Sequence, residues 1–247
     1  MEFPIKIMPF GDSITASKDN FSSYRCYLDH ALHAAGIPFI FAGTQTANWS
    51  GNNPPCGDPA TGFDIHHEGH SGAMSWDYLH PDHWSGEPKY TLDYILSQNI
   101  AETSTPNVPD MVLMHLGTND LGQGHANAQI KSDLEALIDR FRASSPKVVI
   151  LLAQITPLDA ARVGTWGNNV PSLNAVIPGI ATDKNTADSP VLIVDQYSGF
   201  DAVTDTIDGA HANASGNQKI AARWMAAIWA WWNTAFRKIF IPSIFNG

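Results

Sequence analysis

Basic residues are scarce in this chain. Lys and Arg number 14 against 24 Asp and Glu, a formal net charge of −10 over 247 residues. Neutralising phosphates takes clustered Lys and Arg, so this balance speaks against a nucleic-acid partner and an anionic membrane surface. A neutral substrate is indifferent to it. Long apolar runs are missing too, and the longest fall far short of the roughly 18 residues a membrane span needs. The N-terminus lacks the basic region, apolar region and small-residue cleavage site of a secretory signal. The first apolar run begins at Ile5, which suits a cytoplasmic protein or a mature secreted domain with an added Met. A secreted domain without its signal peptide is the expectation carried forward, helped by sequons at Asn20, Asn48 and Asn213. Cysteine is nearly absent: Cys26 and Cys56 leave one disulfide or two buried thiols equally open.

What is present is an ordinary globular balance, 44% hydrophobic and 15% charged. No repeat, linker or composition break appears, so one domain is expected over 1–247, with its core at about 5–232 and the tail 233–247 docked on it. Short, nearly continuous apolar runs lie at Ile5 to Phe10, Pro38 to Gly43, Met111 to Leu116, Val148 to Ile155 and Val191 to Val194. Buried parallel strands read this way. Helical patterns fall near Ser22 to Ala35, Thr91 to Ala101, Ala128 to Ala143, Ser172 to Ile180 and Ser215 to Trp232. The alternation predicts an α/β fold with a five-stranded parallel sheet covered on both faces. Between the second run and the next helix lies a long irregular stretch, Thr44 to Pro88, which carries Trp49, Trp76 and Trp84. Loops of this length are usually functional or contain short elements of their own.

The first run leads into Gly11-Asp12-Ser13-Ile14-Thr15. A serine at the carboxyl edge of a buried strand stands where open α/β sheets hold ligands. A serine hydroxyl needs a base, and His211 in Asp208-Gly209-Ala210-His211 is the candidate. An acid three residues ahead of a histidine can meet its Nδ1 on one turn and fix the tautomer. Acyl transfer also needs oxyanion donors. The side-chain amide of Asn119, in Gly117-Thr118-Asn119-Asp120, and the backbone N–H groups of Gly72 and Ser13 can supply them. Four further residues are candidates for substrate contact: Asp12, His115, Gln154 and Trp166. Asp12 reads first as a loop pin and His115 as a core histidine. Trp166 suits packing as well as stacking on a sugar face.

In this order and spacing, GDSIT, Gly72, GTND and DGAH resemble the four blocks of the SGNH (GDSL-type) hydrolase superfamily. The resemblance implies a flavodoxin-like three-layer α/β/α sandwich, Ser13 as nucleophile, His211 as base and Asp208 as its orienter. It also implies an oxyanion hole of Ser13, Gly72 and Asn119. Many members read DxxHPN where this chain has Ala212 after His211, a change that removes no chemical group. His67 to Gly72, Tyr24 to Leu28 and Ala42 to Thr44 are similar to carbohydrate esterase family 3, which contains acetyl xylan esterases. That likeness implies removal of acetyl groups from plant polysaccharide. The expectation is a monomer without cofactor that acts on a small-molecule or polysaccharide ester. A lipase or lysophospholipase and a non-catalytic carbohydrate-binding relative are the alternatives. The run His66-His67-Glu68-Gly69-His70 raises a metal reading: His66 and His70 have the separation of a zinc-protease pair, but Glu68 does not follow His66 and Gly69 and Gly72 oppose a helix, so no metal is expected.

Overall fold

The computed structural model describes residues 4–18, 21–49, 51–52, 54, 56, 63–80 and 91–236. Its centre is a parallel sheet of β1 (Ile5–Gly11), β2 (Phe39–Phe41), β3 (Glu68–Gly69), β4 (Met111–His115), β5 (Val149–Gln154) and β6 (Val191–Asp195). The path runs β2-β1-β4-β5-β6, with β3 paired to the end of β1. Without β3 the order is that of flavodoxin-like sheets. All five expected runs are strands. β3 is the addition, a two-residue strand inside the stretch read from sequence as irregular.

Period-two alternation sends neighbouring strand residues to opposite faces, and here both faces are apolar. Ile5, Ile7, Met111, Leu113, Val149 and Leu151 join one buried cluster. It is completed by α2 (Tyr24–Ala34) and α8 (Ala214–Trp231) through Tyr24, Leu28, Ile220 and Trp224. Met8, Phe10, Val112, Met114, Ile150 and Leu152 join the other. There they meet α3 (Leu92–Ser97), α5 (Asn127–Ser144) and α7 (Val170–Lys184) through Ile95, Leu134, Ile138 and Ile177. The result is the expected three layers. In the last helix Trp224 is buried while Trp229 is exposed, the mixed packing its aromatics suggest. Trp84, the Asn20 sequon and the tail beyond residue 236 lie outside the described residues.

The chain leaves β1 towards β2 on one side, whereas β4, β5 and β6 build outwards on the other. Ligands in open α/β sheets bind where the order reverses, at the carboxyl ends of the strands. That point lies between β1 and β4, where Gly11 pairs with His115. The backbones approach closely there. A Cβ on Gly11 would stand 2.5 Å from the His115 carbonyl oxygen, so only glycine fits. Cys26 and Cys56 form a disulfide with a Cα–Cα distance of 5.8 Å, which ties α2 to the loop after β2.

Candidate active site

Past Gly11 the chain turns through Asp12 into α1 (Ser13–Ala16). Asp12 caps this short helix: its Oδ1 accepts the Ile14 N–H at 2.8 Å. Ser13 therefore holds the first helical position, where the backbone N–H has no acceptor within the helix. Its side chain points to the opposite end of the sequence. Ser13 Oγ lies 2.9 Å from His211 Nε2.

His211 sits in a tight hairpin after β6. The Ile207 N–H donates to the His211 carbonyl at 2.9 Å, and the Asp159 N–H donates to Gly209 O at 2.8 Å. Asn217 of α8 secures the loop from behind. Its Nδ2 donates to Ala212 O at 3.0 Å, and its Oδ1 accepts the Tyr24 N–H of α2 at 2.9 Å. Asp208 Oδ1 receives the backbone N–H of His211 at 2.9 Å, while Oδ2 lies 2.9 Å from His211 Nδ1. The same Oδ2 accepts from Lys18 Nζ at 2.9 Å. Partial burial opposes ionisation of Asp208. Hydrogen bonds from Lys18 and from the backbone and ring of His211 outweigh it and hold the carboxyl well below the usual range. An ionised carboxylate can only accept, so Nδ1 donates to it and Nε2 is left to accept the Ser13 hydroxyl proton. Such a chain can draw the proton onto imidazole while the carboxylate stabilises the resulting cation.

Two further elements reach the same edge. β3 runs beside the end of β1, with Gly11 paired to Gly69, and the His70 N–H donates to Gly11 O at 3.0 Å. This carries the turn at Gly72 alongside the residues that lead into Ser13. Gly72 has φ +82°, which favours glycine. From β4, α4 (Thr118–Gly122) presents Asn119, whose Nδ2 donates to Ala73 O at 3.0 Å. A carboxamide has two N–H donors. One anchors Asn119 next to Gly72, and the second is available to a ligand.

A family model described as GDSL-like Lipase/Acylhydrolase matches residues 10–219. The chain belongs to that family. Among solved structures, an acetyl esterase mutant with an acetate ion matches this chain with TM-score 0.70 and 26% identity, over 92% of this chain and 97% of that one. A carbohydrate esterase family 3 protein from Talaromyces cellulolyticus matches with TM-score 0.68 and 27% identity, over 92% and 97%. A multidomain esterase of Ruminococcus flavefaciens is 29% identical over 232 residues, 91% of this chain and 28% of that protein. The chain thus spans under a third of that relative's length.

Two of the four candidate substrate contacts are buried. Asp12 and His115 are 0% and 1% exposed, so neither can touch a substrate. Asp12 works from within as the cap of α1, and burial pushes its carboxyl up to about 7. Burial pulls His115 down to about 4, and neither ring nitrogen has a hydrogen-bond partner among the described residues. The Gln154 amide is engaged, donating to Asn174 O at 2.9 Å. The Trp166 ring packs over α4, where a Cβ on Gly122 would meet it at 3.6 Å. Two residues that sequence reading did not place beside the triad stand there instead: Lys18 on Asp208, and Trp49, whose ring centroid is 5.8 Å from that of His211.

The histidines of the 66–70 run do not converge. His66 faces Asp64 at 2.5 Å and Ala101 O at 3.0 Å, and the hydrogen bond to Asp64 raises its pKa. His67 donates to Ala47 O at 2.8 Å, and His70 meets Glu68 Oε1 at 2.5 Å. Among the described residues, two groups have ligand atoms within 4.8 Å of one another: Cys26, His30 and Cys56, and Asp120, His125 and Asp133. The disulfide removes the thiolates of the first. In the second, both Asp120 oxygens already accept from the Ser75 N–H, and one of them also from the Ser75 hydroxyl at 2.6 Å.

Proposed function

We propose that this acylhydrolase is a serine esterase that removes short acyl groups, acetyl above all, from carbohydrate hydroxyls. The observation that carries the reading is the unbroken chain from Ser13 Oγ through His211 to Asp208, with both links at 2.9 Å. Ser13 Oγ attacks the ester carbonyl as its proton passes to His211 Nε2. The N–H groups of Ser13 and Gly72 and the free amide hydrogen of Asn119 receive the oxyanion. His211 then returns the proton to the departing alkoxide, leaving an acyl-enzyme. Water, activated by the same imidazole, releases the acid and restores Ser13.

Support for the acetyl and carbohydrate parts comes from the acetyl esterase and family 3 esterase structures, which match nine-tenths of the chain. The disulfide supports an oxidising, extracellular setting. The Asn48 sequon adds nothing to this, because Asn48 is buried with both ends of its amide bonded. The test is a chain-length series of p-nitrophenyl esters run beside acetylated xylan. Acetyl should be hydrolysed fastest, acetate should be released from the polymer, and Ser13→Ala should lose turnover by several orders of magnitude while folding normally. A preference for eight carbons or more would overturn the carbohydrate reading. Full activity in Ser13→Ala would overturn the serine mechanism.

A further inference from the structure

Trp49 is 52% exposed, an uncommon state for so large an apolar side chain on a backbone that is itself hydrogen-bonded. Its backbone N–H donates to Ser17 O at 3.1 Å, and the turn after it is closed by Gly51 N–H to Asn48 O at 2.8 Å. The preceding residue, Asn48, is only 3% exposed. It accepts from the buried Arg25 guanidinium at 2.9 Å and donates to Phe21 O at 3.1 Å. Arg25 in turn donates to Thr15 O of α1 at 3.1 Å and to Ile65 O at 2.8 Å. The indole is thus presented by a fixed support that is continuous with the Ser13 helix. Lys18 completes the surroundings, with Nζ 5.6 Å from the Trp49 ring centroid and 2.9 Å from Asp208 Oδ2.

The direction of the reaction says which part of an ester this surface meets. His211 must hand its proton to the leaving alkoxide, so the alcohol half of the substrate lies within hydrogen-bond reach of Nε2. A ring centred 5.8 Å from the imidazole stands about one sugar ring away from that oxygen. A flat apolar face with a cation beside it matches a pyranose, which has an apolar C–H face and hydroxyls around its rim. An ammonium has three N–H donors. Lys18 gives one to Asp208, leaving others for a sugar hydroxyl.

We propose that Trp49 and Lys18 form the alcohol-side subsite, in which the Trp49 indole stacks on the pyranose ring that bears the scissile ester. This rests on the esterase reading above, and the test separates the two. Methyl acetate has the same acyl group and an alcohol too small to reach the indole, so it reports the esterase chemistry alone. On an acetylated methyl pyranoside, Trp49→Ala should lower kcat/KM about 10-fold or more, mainly through KM. On methyl acetate the loss in the same variant should be several-fold smaller than on the sugar ester, and Trp49→Phe should keep most of the activity on the sugar ester. A binding measurement stands apart from turnover. Xylo-oligosaccharide should perturb the tryptophan fluorescence of Ser13→Ala protein, and Trp49→Phe in that background should abolish the signal. Equal losses on both substrates, no loss on either, or an unchanged fluorescence response would overturn the subsite. Failure of the wild type on methyl acetate would overturn the esterase reading instead, and the saccharide titration would still decide the platform.

Discussion

Lys18 Nζ and His211 Nδ1 meet the same oxygen of Asp208, each at 2.9 Å. The carboxylate that orients the imidazole therefore already carries a cation. When His211 takes the serine proton, the new positive charge forms close to an existing one. The two cations then share one carboxylate.

Asn119 divides its amide between Ala73 O and the site. If the second N–H serves the oxyanion, Asn119→Ala should lose about 10²–10³ in kcat with KM little changed, since that bond strengthens only as charge develops. Thermal unfolding run alongside distinguishes loss of the donor from loss of the turn. A kcat near that of the wild type would remove Asn119 from the oxyanion hole.

The sheet and the triad were legible because their signals are local and repeated. The run from Ile5 to Phe10 is β1 to within one residue, and Ala128 to Ala143 lies inside α5. GDSIT and DGAH carry their chemistry in consecutive residues. Four-residue helices such as α1 are about one turn long, too short for any period to show. Trp49 and Trp166 look alike in sequence, each an aromatic in a polar loop, and only tertiary packing covers one and exposes the other. The Lys18–Asp208 contact spans 190 residues, and no spacing rule announces it. Asp12 and His115 are the loop pin and the core histidine that they read as first; closeness to Ser13 along the chain and the sheet also makes them look like contacts, but it says nothing about which side of the backbone a side chain takes.

The disulfide closes a span of 30 residues between Cys26 and Cys56. On the chain-entropy account such a loop contributes about 3–4 kcal/mol by restricting the unfolded chain. Reduction, or the double change Cys26→Ala with Cys56→Ala, should lower the free energy of unfolding by about that amount. Urea melts with and without reductant measure it. Identical midpoints would mean that the two cysteines are not joined in the folded protein.

Asp12 and His115 should impose opposite pH dependences on stability within one pH window. Burial lifts Asp12 from 3.8 to about 7. Between those values the unfolded chain has released a proton that the native protein retains, so this contribution to stability is lost as pH rises. Burial lowers His115 from 6.5 to about 4. Between those values the unfolded chain binds a proton that the native protein refuses, so this contribution is lost as pH falls. At full extent the two are worth about 4 and about 3 kcal/mol, and in the wild type they largely offset each other. Single variants should unmask them. Relative to wild type, Asp12→Asn keeps a capping oxygen and should gain stability as pH goes from 4.5 to ~6.5. His115→Gln should gain in the opposite direction. Urea midpoints at several pH values give the two slopes, and slopes of the same sign would show that one of these groups does not titrate as its burial requires.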